Sequence, residues 1–102
     1  MKIEWTEPAV SDLEGIQDYI GRDSKYYASR FISRIIESVE SLKDFPEMGR
    51  SVPEAEEIDV RELLFGNYRI MYYVEPERVL VLAVIHAARN ISQKKQKPWE
   101  II

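Results

Sequence analysis

The chain has 102 residues, no cysteine, one histidine, 45% hydrophobic and 31% charged residues, and a formal net charge of −4. Such a composition fits one folded domain with an ordinary core; it excludes a disulfide framework, a thiol nucleophile and metal sites built on cysteines or on several histidines. No apolar run approaches the ~20 residues that a membrane span needs, and the N-terminus lacks a signal-peptide pattern, so no membrane association and a cytoplasmic setting are expected.

The acidic balance also disfavours a broad nucleic-acid-binding surface, because neutralised phosphates supply most of that affinity. The charge is uneven, however. Residues 79–102 hold Arg89, Lys94, Lys95 and Lys97 against Glu100 alone, a net +3, which leaves −7 on the other 78 residues.

In chain order, residues 1–6, MKIEWT, form a short strand candidate with Ile3 and Trp5 on one face. Thr6 is placed to cap a helix whose first turn holds Glu7 and Pro8. Ala9, Leu13, Ile16 and Ile20 recur at helical spacing and give one apolar stripe. Gly21 closes that helix and Asp23-Ser24 opens the next. Ala28, Phe31, Ile32, Ile35, Val39 and Leu42 mark a longer second helix that ends before Phe45-Pro46. Two helices joined by so short a loop make an antiparallel hairpin.

Residues 46–57, PEMGRSVPEAEE, read as a loop, with two prolines, one glycine and a cluster of acids. A strand is expected over 58–65, with Val60 and Leu64 opposed to Arg61, Leu63 and Phe65. Gly66-Asn67 then supplies a two-residue turn in which both residues tolerate positive φ. Residues 68–74 alternate, Tyr68, Ile70, Tyr72 and Val74 on one face and Arg69, Met71 and Tyr73 on the other. Glu75-Pro76-Glu77 turns the chain. The run 79–85 is apolar at every position, which suits a strand covered on both faces. Residues 1–90 make the domain; 91–102 read as a basic tail whose apolar end, Trp99, Ile101 and Ile102, either docks back or awaits a partner.

The expected architecture is therefore α+β: an N-terminal strand, a helical hairpin packed on one face of an antiparallel sheet, and a C-terminal three-strand meander. The helices cover one sheet face. Nothing evident in the chain covers the other.

This order of elements resembles the RelE/ParE superfamily of toxins from bacterial type II toxin–antitoxin modules. So do Trp5 with Ala9 and Asp12-Leu13, the loop Pro46-Glu47-Met48-Gly49-Arg50, the strand Val60-Arg61-Glu62-Leu63, Tyr68-Arg69-Ile70-Met71-Tyr72, and the ending His86-Ala87-Ala88-Arg89. The likeness spans about residues 3–90. It implies one of two activities: RelE-like members cut messenger RNA on the ribosome, and ParE-like members poison DNA gyrase without a nuclease site. Either is neutralised by a cognate antitoxin whose C-terminal segment wraps the toxin in a hetero-oligomer. The resemblance implies no cofactor and no metal.

The ParE-like branch fits these residues better. Cleavage through the neighbouring 2′-hydroxyl needs a base, an acid and a cation close together. Residues 44–65 hold no lysine, only Arg50 and Arg61, against seven acids. For a nuclease the candidate site is His86, Arg61, Arg69, Tyr73 and Arg89. His86, as the lone histidine at a strand end, fits a backbone-bonding role better than acid–base work. If Arg61 and Arg69 share a sheet face, they stand ready for phosphate or carboxylate; the competing reading is a ladder of ion pairs with acids such as Glu62. For antitoxin or target binding the candidates are Arg61, Arg69, Arg89 and the broad apolar face of the second helix, Tyr27, Phe31, Ile32 and Ile36. A third possibility is a toxin fold without activity that only binds its partner.

Overall fold

The computed structural model describes all 102 residues. Strand β1 (Lys2–Trp5) leads into helix α1 (Glu7–Gly21), helix α2 (Lys25–Glu40) and a 3-10 turn at Ser41–Lys43. Strands β2 (Arg50–Ser51), β3 (Val60–Phe65), β4 (Tyr68–Val74) and β5 (Arg78–His86) follow, and two 3-10 turns (Ile91–Gln93 and Pro98–Ile101) complete the chain. The sheet runs β1-β5-β4-β3-β2, with β1 parallel to β5 and the other pairs antiparallel. No helix is long and apolar enough to cross a membrane.

The local signals act as the sequence predicts. Thr6 accepts the Ala9 N–H at 3.3 Å, and its hydroxyl donates to the Val81 carbonyl at 2.9 Å, so the cap of α1 is also fastened to β5. Ser24 caps α2 through the Tyr27 N–H at 3.1 Å. The hairpin of helices lies on one face of the sheet, where Ala9, Ile16, Ile35, Val39 and Leu42 meet Leu63, Ile70, Tyr72, Val79, Val81 and Val84. The turn between β3 and β4 differs in detail. Only Gly66 has positive φ, +56°, and Asn67 does not, a pattern that puts the glycine at the first central position of the turn.

Three features depart from the sequence reading. Part of the predicted loop at 46–57 is strand β2, a two-residue edge paired to β3. Strand β5 carries an irregularity where Met71 faces Ala83 while Tyr72 faces Val81. Leu82 and Ala83 consequently both turn away from the helices, and Val84 returns to them. Beyond the end of β1 the outer edge of β5 would be bare; there the Val84 N–H donates to Asp12 Oδ2 at 2.9 Å. Burial raises the Asp12 carboxyl above its ordinary value despite that bond.

The third departure is the largest, because the second sheet face has a cover. Val60, Met71, Leu80, Leu82, Ala83 and Ile85 form a second core with Val52 and Ile91, and Ala55, Ile58, Tyr73 and Trp99 pack around it. The segment 52–58 lies over one part of this face and the C-terminal segment over another. Every hydrogen bond made by residues 90–102 stays within that segment, and none of its side chains enters a salt bridge with the domain. Ile91 and Trp99 hold it by apolar contact.

The loop before β2 is set by one close approach. The Gly49 N–H donates to the Tyr72 hydroxyl at 2.8 Å, and a Cβ at position 49 would lie 2.6 Å from both that hydroxyl and the Glu62 carbonyl. Gly49→Ala is expected to lower the unfolding free energy by at least ~2 kcal/mol, as overpacking does where backbone cannot yield. Urea denaturation checks it; an unchanged midpoint would show that this loop has slack.

Candidate functional site

The residues singled out for chemistry do not converge. The two-residue turn sets Phe65 opposite Tyr68, so Arg61, opposite Tyr72, lies on the helix-side face, and Arg69, opposite Leu64, lies on the other. The condition that these arginines share a face therefore fails. His86 pairs with Tyr68 on the helix side, while Tyr73 packs in the second core. Along β4, Tyr72 beside Arg61 and Tyr68 beside His86 are four residues apart, about 13 Å at strand spacing. Arg89 is exposed in the turn after β5.

Arg69 is the most committed cation. It is buried, donates through Nε to Glu62 at 2.6 Å, and grips Glu54 with both terminal nitrogens at 3.0 and 2.8 Å. The other Glu62 oxygen accepts from Arg50 at 2.7 Å. Glu62 is wholly buried, so its charge is carried inside the sheet by two guanidinium groups. Hydrogen bonding to Glu54 raises Arg69 above the usual arginine value, and the same bond holds the Glu54 carboxyl below the ordinary carboxylate range. The network clamps the 52–58 segment onto the sheet. All three Arg69 nitrogens are engaged by carboxylates in a buried setting, which disfavours a phosphate there.

Arg61 is likewise engaged. One terminal nitrogen donates to the carbonyls of Gly49 at 2.9 Å and Glu47 at 3.2 Å, which fixes the loop before β2. His86 is exposed, and its Nδ1 accepts the Ala88 N–H at 3.1 Å, as the backbone-bonding reading expects. Its ring meets Tyr68 edge-on with centroids 5.3 Å apart; Tyr68 meets Phe31 at 5.7 Å, and Phe31 lies 6.4 Å from Tyr27. This aromatic ladder joins α2 to the end of β5. Tyr27 and Ile36 are exposed, whereas Phe31 and Ile32 are half-buried against the core. No group of three or more His, Asp or Glu side chains is arranged to hold a metal ion.

A helical hairpin on a mostly antiparallel five-stranded sheet is the fold class of RelE- and ParE-type toxins. The ParE toxin of the type II toxin–antitoxin system, parDE, has a family model that matches residues 3–91, and the chain belongs to that family. Toxin RelE2 of Caulobacter vibrioides is 37% identical over 89 residues, covering 86% of this chain and 97% of its own. A putative toxin, Y4kP, of Sinorhizobium fredii is 33% identical over 94 residues, covering 90% and 94% respectively. Among solved structures, a chromosomal ParDE toxin–antitoxin system from P. aeruginosa superposes with a TM-score of 0.71 at 25% identity, covering 84% of this chain and 95% of that one. The toxin–antitoxin complex RelBE2 of Mycobacterium tuberculosis shares the fold, with a TM-score of 0.63 at 21% identity over 83% and 95%. The chain is thus a type II toxin of the ParE/RelE family.

The residues point to Arg69 and Arg61 but not to Glu54 as a partner, because Glu54 lies in the loop before β3, eight positions ahead of Glu62, with no pattern linking it to Arg69. Arg69→Ala leaves Glu62 buried with a single partner and is expected to cost about 3–5 kcal/mol of stability. The Glu54 contribution follows pH. Its folded pKa is depressed, so the stabilisation is present above the unfolded carboxylate value and is lost as pH falls through the folded one. Denaturation midpoints between pH 7 and 3 should therefore fall less steeply in Glu54→Gln than in the wild type; parallel curves would remove this carboxylate from the acid response.

Proposed function

We propose that this chain is a ParE-like toxin that arrests growth by binding DNA gyrase, without chemistry of its own, and that a cognate antitoxin neutralises it by wrapping its C-terminal segment along the toxin. The observation that carries the reading is the commitment of Arg69 and Arg61: one sits inside a buried ion network and the other holds backbone carbonyls. RNA cleavage by 2′-hydroxyl attack needs a cation free to meet the phosphorane beside a base and an acid. Here the sheet separates Arg69 and Tyr73 from Arg61 and His86, and the last two are about 13 Å apart at strand spacing. The net charge of −4 favours a protein target over ribosomal RNA for the same electrostatic reason. The antitoxin reading is supported by the neighbours in toxin–antitoxin complexes and by the exposed Tyr27 and Ile36 flanking the half-buried Phe31 and Ile32 on α2.

A second reading, a ribosome-dependent messenger-RNA endonuclease, draws on His86 and Arg89, which are both exposed and three residues apart. Induction of the protein in a sensitive bacterium separates the two. Broken or relaxed chromosomal DNA with intact transcripts is the expected result. Rapid transcript cleavage on intact DNA would replace the gyrase reading with the nuclease one, and full cleavage by His86→Ala would then take that histidine out of the mechanism.

A further inference from the structure

Leu42 is fully buried, yet three residues later the chain turns outward. Phe45 is 64% exposed and Met48 51% exposed. They are the first and last residues of a tight turn closed by the Met48 N–H donating to the Phe45 carbonyl at 3.1 Å, with Pro46 in its second position. The turn is not loose. Gly49 beneath it is sealed against Tyr72 and the Glu62 carbonyl, and Arg61 holds the Glu47 and Gly49 carbonyls from below. Two large apolar side chains are therefore displayed in a fixed geometry, so little ordering cost remains to be met on binding.

Other exposed aromatics differ. Tyr19 and Tyr26 each lie under a guanidinium of their own helix turn, Arg22 at 5.9 Å and Arg30 at 5.8 Å. Phe45 and Met48 have no such cover. The charges around the turn are also one-sided. Lys43 is paired with Glu40 at 2.7 Å, Arg50 with Glu62 at 2.7 Å, and Arg61 lies 3.8 Å from Asp59. Asp44 and Glu47, which flank the tip, have no cationic partner. An apolar tip ringed by unpaired acids repels phosphate and suits a protein cleft rimmed by lysine or arginine.

We propose that the Phe45–Met48 turn is the contact through which this toxin grips its protein target, its tip seated in an apolar cleft with a basic rim. The proposal rests on the gyrase-binding reading for the identity of that target, and its test separates the two. Purified full-length protein is titrated into supercoiling reactions of the gyrase holoenzyme, beside F45S/M48S and D44K/E47K. Both substitutions sit at exposed positions, and their denaturation midpoints should match the wild type. F45S/M48S is expected to raise the half-inhibiting concentration by about 30-fold or more, the scale of a hot-spot contact. D44K/E47K is expected to raise it by about 5-fold and to change its salt dependence. Unchanged inhibition by folded F45S/M48S overturns the proposal. So does light scattering that finds a wild-type dimer which F45S/M48S turns into a monomer, since the turn would then serve a second copy. If the wild type leaves gyrase untouched, the gyrase reading falls and growth arrest becomes the readout. Arrest that persists in F45S/M48S overturns the turn as the contact; arrest lost in that variant retains it for a different protein target; a wild type without arrest overturns both.

Discussion

Strand β5 is apolar from Val79 to Ile85 and lies second in the sheet, so neither of its faces can be left to water. Everything else in the molecule answers to that requirement. The helical hairpin supplies one cover, drawn close by Thr6 on the Val81 carbonyl and by Asp12 on the Val84 N–H. The segment 52–58 and the C-terminal residues supply the other. The irregularity at Leu82–Ala83 divides the apolar side chains between the two cores, and Arg69 stitches the second cover down through Glu54.

This requirement also decides what the arginines can do. An arginine on an open sheet face is a ready anion site, but on a covered face it must be paired before it can be buried. Arg69 meets two carboxylates, and Glu62 in turn meets two guanidinium groups, so the charges close on one another. Arg61, on the helix side but beyond the helices, turns to backbone carbonyls instead. Both residues act as fasteners. The surface left for recognition is apolar and acidic at the Phe45–Met48 turn and aromatic along α2, which is a protein-binding surface in character.

Much of this fold was legible in the residues. The helical stripes, the caps at Thr6 and Ser24, and the β4–β5 hairpin came from local rules that tertiary context did not overrule. The opposite placement of Arg61 and Arg69 was also implicit. A two-residue turn at Gly66-Asn67 makes Phe65 and Tyr68 partners, and counting by twos from that pair puts the arginines on different faces. What could not be read was non-local. The parallel seat of β1 beside β5 depends on contacts across more than seventy positions. The two-residue strand β2 is too short to leave a periodic trace, and the choice between a docked and a free Trp99 is made by the second core. The pairing of Arg69 with Glu54 is of the same kind. Neither residue carries a pattern, and only the folded loop brings them together.

The two covers of the second face are attached by different physics. Charged hydrogen bonds from Arg69 to Glu54 reinforce the apolar packing of Val52, Ala55 and Ile58, whereas contact of Ile91 and Trp99 alone holds the C-terminal segment. Apolar attachment weakens on cooling, because its driving force near room temperature is entropic, whereas the carboxylate–guanidinium clamp answers to proton concentration. The two covers of this face therefore answer to different conditions: acid weakens the Glu54–Arg69 clamp over one part, and cooling weakens the apolar contacts over the other.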